Sequence, residues 1–141
     1  MKTKSLSFVI ASLLLAYPFY LWFTYIDESV TVGSAYGFQI GDKKKDVYES
    51  LPLKLNNLKE ADESIFIQIK VTDEIATTLA TRTDFDVMIE PLFHDVGYTV
   101  FSSQNTWYFY INGSFFNSLK LEFCEEKLCK IYRHRKYFEL P

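Results

Sequence analysis

The most continuous pattern in the chain is an apolar run at its start. Lys2 and Lys4 lead into Leu6 to Ile26, twenty-one residues without a charge, and Asp27 and Glu28 follow at once. Wound as a helix at about 1.5 Å per residue, such a run reaches about 31 Å, enough to cross a hydrocarbon core. Its second half, AYPFYLWFTYI, is crowded with Tyr, Trp and Phe, which suit the headgroup level of a bilayer. Basic residues before the run and acidic ones after it place the amino terminus inside and export the rest. Ala16 has Leu14 two places before it, so no small-x-small cleavage site stands there. Residues 1–26 therefore read as a signal-anchor in preference to a cleaved signal peptide. Residues 27–141 become a periplasmic domain, held at the inner membrane where the segment is retained.

Beyond that run the period changes to two. SIFIQIKV puts Ile65, Ile67, Ile69 and Val71 on one side, with Phe66, Gln68 and Lys70 on the other. NTWYFYI sets Trp107, Phe109 and Ile111 against Thr106, Tyr108 and Tyr110, and Asn112-Gly113 follows as a type I′ turn signal. SLKLEFC turns Leu119, Leu121 and Phe123 inward and Lys120 and Glu122 outward, and CKIYRHRKYF returns as the last strand. Residues 105–138 thus predict a three-stranded antiparallel meander. FDVMIE and the stretch around GYTVF add two further strands.

Two segments follow a helical period. In KKKDVYESL, Val47, Tyr48 and Leu51 share a stripe, Asp42 is placed to cap the free N–H groups, and Pro52 ends the helix. TDEIATTLATR has Thr72 as cap, Asp73 and Glu74 in its first turn and Ile75 and Leu79 as apolar anchors, weakened by three Thr. Residues 56–64 are polar and acidic, a loop. The fold class is α+β: an antiparallel sheet with about two helices on one face.

Composition narrows the function classes. Of 141 residues, 48% are hydrophobic and 18% aromatic, which a disordered polymer does not carry. Lys plus Arg number 15 against 18 Asp plus Glu, which argues against a nucleic-acid partner. The charge is uneven: residues 60–95 are acidic and the stretch from Asn117 onward is mildly basic. The only cysteines, Cys124 and Cys129, bracket EEKL. With Glu126 and Lys127 as a two-residue turn, Glu125 pairs with Leu128 and the cysteines face one another as a disulfide about 4.5 Å apart at Cα. A metal site is disfavoured, since His94 and His134 have no zinc-ligand spacing.

Catalytic motifs are missing from the sequence: there is no G-x-S-x-G, H-E-x-x-H, P-loop or dinucleotide fingerprint. His94-Asp95 fails as a base and orienter pair, because neighbours on a strand point to opposite faces. Enzyme chemistry is not expected, and no cofactor is implied. A hydrolase using His94 or an unrecognised carboxylate pair is the minor alternative. Surface chemistry remains. If Trp107 and Phe109 are buried, Tyr108 and Tyr110 face outward, and Phe115 and Phe116 cannot both point inward. Exposed aromatics beside acidic groups make a protein-binding face.

Two resemblances add to this reading. In GSAYGFQIGDKKKDVYESLP, Phe38, Ile40, Gly41, Val47, Leu51 and Pro52 resemble the opening of the fold shared by small outer-membrane assembly lipoproteins and beta-lactamase inhibitory proteins. SLKLEFCEEKLCKI resembles that fold's last hairpin, although the chain has no lipobox Cys near its start. That resemblance implies a binding scaffold. The size, the exported layout and the opening MKTKSLSFVIASLLLAYPF are similar to the pesticin-type bacteriocin immunity proteins. This second resemblance implies a periplasmic inhibitor that binds a lytic bacteriocin, a peptidoglycan-degrading muramidase toxin, and protects the producing cell. The expected contact residues are Tyr108, Tyr110, Phe115 and Phe116 as anchors, with Asp84, Asp86, Glu90 and Asp95 as charge partners. An envelope-assembly protein built on the same scaffold is the alternative.

Overall fold

The computed structural model describes residues 2–70, 86–89 and 97–136. Helix α1 (Lys2–Thr24) runs into strand β1 (Ile26–Val30) with only Tyr25 between them. A small hairpin follows, β2 (Ser34–Ala35) and β3 (Phe38–Gln39), and then helix α2 (Lys44–Leu58). Strands β4 (Ile65–Lys70) and β5 (Asp86–Ile89) precede a short helix α3 (Tyr98–Ser102). Strands β6 (Thr106–Ile111), β7 (Asn117–Cys124) and β8 (Lys127–Arg135) close the chain. The main sheet has six strands in the order β1-β8-β7-β6-β4-β5, every pair antiparallel.

Strand parity decides where the core lies. One row runs Glu28–Arg133–Leu119–Phe109–Ile67 across the sheet, and another runs Val30–Ile131–Leu121–Trp107. These rows share a face, and Phe109, Leu119, Leu121 and Ile131 on it are fully buried. Against them pack Val47, Leu51 and Leu55 of α2, Phe101 of α3, and Phe38. The expected α+β architecture is therefore present, with the meander β6–β7–β8 at its centre.

Several details differ from expectation. Helix α2 passes through Pro52 and ends at Leu58, so the loop is shorter than 56–64. Pro52 and Leu53 face solvent while the stripe Val47, Leu51 continues to Leu55, and burial of that extra turn outweighs the bond the proline cannot make. Asp42 does not cap. Lys43 is the N-cap and offers no side-chain bond; instead the Lys44 N–H donates to the Glu126 carbonyl at 2.8 Å, so the β7–β8 turn caps the helix. GYTVF forms α3 and not a strand. Its strand propensity loses because burying Phe101 between Tyr48 and Trp107 rewards a helical turn.

The terminal hairpin is shifted by one residue from the expected pairing. Glu125 and Glu126 form the turn, with φ of 49° and 63°, and Cys124 lies opposite Lys127. The expected pairing would have set Phe123 opposite Lys130 and turned Ile131 outward. A bulge at Glu122/Phe123 corrects this, and Leu128 and Ile131 both stay buried. The disulfide itself forms as expected, with Cα atoms 5.7 Å apart. At the other hairpin Asn112 and Gly113 both take positive φ, and Ser114-Phe116 lengthen the connection before β7. Strand β8, the last in the chain, has a neighbour on each side: β1, which the sequence pattern did not suggest, pairs with it over five residues. The helix expected at TDEIATTLATR lies outside the described residues, and so does His94.

Ile26, the last residue of the apolar run, belongs to β1. Among the described residues no helix is long and apolar enough to cross a membrane. The described side chains of α1 nevertheless stand free of the core: Leu13, Leu14, Leu15, Phe19, Trp22 and Phe23 are each exposed by 65% or more.

Candidate functional site

The second face of the sheet is the candidate site. Two of its rows read Ser29–Tyr132–Lys120–Tyr108–Gln68 and Asp27–His134–Ser118–Tyr110–Phe66. Apart from buried Tyr110, the side chains contributed by β4, β6, β7 and β8 to these rows are half-exposed, in contrast with the sealed face behind them. Alternation builds this surface automatically. Each residue that places Trp107, Leu121 or Ile131 in the core is followed by one on the open side.

At the middle of that face Lys120 lies between two rings, its ammonium 5.9 Å from the Tyr108 ring centroid and 5.5 Å from that of Tyr132. Glu122 sits 2.6 Å from the same ammonium, and that bond, with a smaller Coulomb contribution, raises the Lys120 pKa above the ordinary lysine value. Tyr108 stacks parallel to Tyr110 at 6.3 Å, and Tyr110 meets Phe115 edge-on at 5.0 Å. The Tyr110 hydroxyl donates to Gln68 Oε1 at 2.6 Å.

Toward β1 the surface becomes polar. The Asp27 carboxylate accepts hydrogen bonds from Tyr132 and, at 3.1 Å, from Tyr25. The Tyr132 bond is the larger cause of a lowered Asp27 pKa; in turn the Tyr132 phenol is pushed up to about 12, chiefly by that bond. His134 Nδ1 lies 3.6 Å from Asp27 Oδ1 and makes no hydrogen bond, and the His134 ring stacks on Tyr132 at 6.4 Å. This arrangement supplies flat rings, one ammonium, an amide and fixed donors and acceptors, which is the chemistry of recognition. Among the described residues no group of three or more His, Cys, Asp or Glu could hold a metal ion.

The expected contact residues divide. Tyr108 is half-exposed on the open face, and Phe115 is exposed by 65% at its rim. Tyr110 is corrected: it is 7% exposed, because Phe115 and Gln68 cover it. Phe116 is half-buried beside β8, its carbonyl accepting from the Lys136 N–H at 2.7 Å. Asp86 belongs to the edge strand β5, opposite Lys70, while Asp84, Glu90 and Asp95 lie outside the described residues. Sequence reasoning missed Gln68, Lys120, Tyr132 and Asp27 as members. Parity from the buried Leu119 and Leu121 did place Lys120 outward, but which strand lies beside which is a matter of topology.

A second cluster lies behind the sheet. Lys44 is 1% exposed, yet its ammonium reaches Glu126 Oε1 at 2.9 Å, and both Asn105 Oδ1 and the Ser102 carbonyl at 3.2 Å. Its three N–H donors are matched by three acceptors, so the charge is compensated. It ties α2, α3 and the disulfide hairpin together and serves the fold. Comparison with protein-family models, with curated proteins and with solved structures finds no match to this chain.

Proposed function

We propose that this chain is a periplasmic immunity protein that binds and inhibits a peptidoglycan-degrading bacteriocin of the muramidase class. Residues 1–26 are its signal-anchor on the strength of the sequence pattern, two lysines before the uncharged run from Leu6 and acidic residues after it, and contact is made without turnover. The observation that carries the reading is the open sheet face centred on Lys120 between Tyr108 and Tyr132. A muramidase cleft carries a pair of carboxyl groups flanking the scissile bond. An ammonium held between two rings is chemically suited to such a cleft, with Lys120 exchanging Glu122 for the toxin's carboxylates and the rings supplying buried contact area.

The placement supports the same reading. A toxin that cuts peptidoglycan must be met outside the cytoplasmic membrane, and the exposed apolar side chains of α1 suit a lipid environment. The toxin class is taken from the resemblance of the opening MKTKSLSFVIASLLLAYPF and the exported layout to pesticin-type immunity proteins. The test uses the oxidised full chain in detergent micelles, titrated against the toxin in a peptidoglycan-turbidity assay. Inhibition should saturate at stoichiometric amounts. Unchanged lysis at large excess refutes the proposal, and an envelope-assembly role would then account for the scaffold.

A further inference from the structure

The end of the sheet that carries α1 also carries an exposed aromatic turn. Ile26 lies opposite Arg135, and Arg135 lies opposite Asn117. With strands spaced about 4.8 Å apart, the backbone of Asn117 is only about 10 Å from the start of β1. Arg135 Nε donates to the Thr24 carbonyl at 3.3 Å, which pins the last turn of α1 to this end of β8. The β6–β7 connection, residues 112–116, rises from the same end and presents Phe115 to solvent. Tyr25, 46% exposed, and the exposed Lys136 complete the group.

We propose that this end of the domain rests on the bilayer that holds α1, with Phe115 inserted in the interfacial layer. Arg135 and Lys136 then lie at the level of the lipid phosphates. The inference rests on the anchor reading above and goes beyond it, because an anchored helix alone leaves the domain free to pivot. Continuity argues for lipid as the occupant. Tyr17, Phe19, Tyr20, Trp22 and Phe23 are exposed along the helix that leads to this point, and Phe115 extends that aromatic surface. Charge along this rim is mixed: Arg135 and Lys136 lie beside α1, but so do Asp27 and Glu28 at the start of β1, and Glu60, Asp62 and Glu63 precede β4, so aromatic continuity and not net charge favours lipid.

Docking in this way orients the site. Strand β7 has eight residues, so the disulfide hairpin stands about 25 Å above the lipid surface, and the open face rises along the membrane normal between the two. Phe115 is thereby withdrawn from the toxin contact, leaving Tyr108, Lys120 and Tyr132. The test reconstitutes the full chain in vesicles of phosphatidylethanolamine and phosphatidylglycerol carrying shallow-brominated lipid. Trp22 reports on the anchor in the wild-type chain, and a Trp22→Phe, Phe115→Trp double variant reports on the turn, with buried Trp107 as the unquenched background in both. Phe115 is exposed, so its replacement by Trp asks nothing of the core. Quenching in both chains is the expected result. Quenching of the wild type with none in the double variant overturns this inference and leaves the anchor standing; none in either overturns both.

Discussion

Replacing Lys44 by Met tests whether one buried ammonium organises the whole back of the molecule. Methionine keeps most of the aliphatic stem and removes only the ammonium, which also lies 5.5 Å from the Phe123 ring centroid, so the loss is polar. Three acceptors lose their donor, but they do not count equally. Glu126 is 66% exposed on its side chain and returns to water at small cost. The Ser102 carbonyl and Asn105 Oδ1 are each 3.2 Å from the ammonium, but Asn105 is exposed and turns to water, so the half-buried Ser102 carbonyl is the acceptor left unpaired. With the lost charge-assisted bonds, the expected destabilisation is about 1–3 kcal/mol. Glu126→Gln should cost about 1 kcal/mol or less, since an amide oxygen still accepts there. The assay is denaturant unfolding of the oxidised chain in detergent micelles, followed by the fluorescence of buried Trp107. A midpoint for Lys44→Met indistinguishable from wild type would show that the three bonds carry no net stability, and the reasoning would fall.

Four further outcomes follow from other sites. Asp27 has a folded pKa below its unfolded one, so its stabilisation is present above the unfolded value and is lost as pH falls through the folded value; Asp27→Asn should lower the midpoint at pH 7 and by progressively less as the pH falls through the acid range. For Tyr132 the sign is reversed, because its pKa is raised: the contribution is complete below about 10 and disappears by about 12, so an ultraviolet titration should show a late phenol that Asp27→Asn moves earlier. Pro52→Ala restores a backbone donor in the middle of α2 and should stabilise the chain by about 1–3 kcal/mol in the same unfolding assay. Tyr108→Ala should weaken toxin binding by about 2 kcal/mol, near 30-fold in Kd by calorimetry, with the unfolding midpoint unchanged.

The legible parts of the fold were those where local pattern and tertiary burial ask for the same thing. NTWYFYI and SLKLEFC alternate because each strand has one sealed and one open face, and the structure seals Trp107, Phe109, Leu119 and Leu121 as that alternation requires. The positive φ of Asn112 and Gly113 was equally local. Strand β1 was illegible for the opposite reason: IDESV has too few apolar residues to declare a strand, and it exists because β8 offers five unpaired residues. The same gap hid the site. Tyr132 and Asp27 are more than a hundred residues apart and meet only through the β1–β8 register. Tyr110 was misjudged because parity predicts the face a side chain occupies, while burial depends on what the next loop lays over it.

Strand β8 shows why the site depends on the compartment as well as on the pattern. Leu128 and Ile131 are both buried, yet they are three residues apart, and an unbroken strand buries only every second residue. One residue must be absorbed between them, and the bulge at Cys129 does so. The bulge puts Ile131 opposite Leu121 and Tyr132 opposite Lys120; a slip of one residue would turn Tyr132 into the core and remove a wall of the open face. The disulfide joins the bulged residue to the far side of the same hairpin, and the backbone bonds from Gly41 to Leu128 and from Leu128 to Asp42 hold the adjacent position. Register and oxidation state therefore bear on the same residues: the covalent link that requires an oxidising space stabilises the register that creates the recognition face.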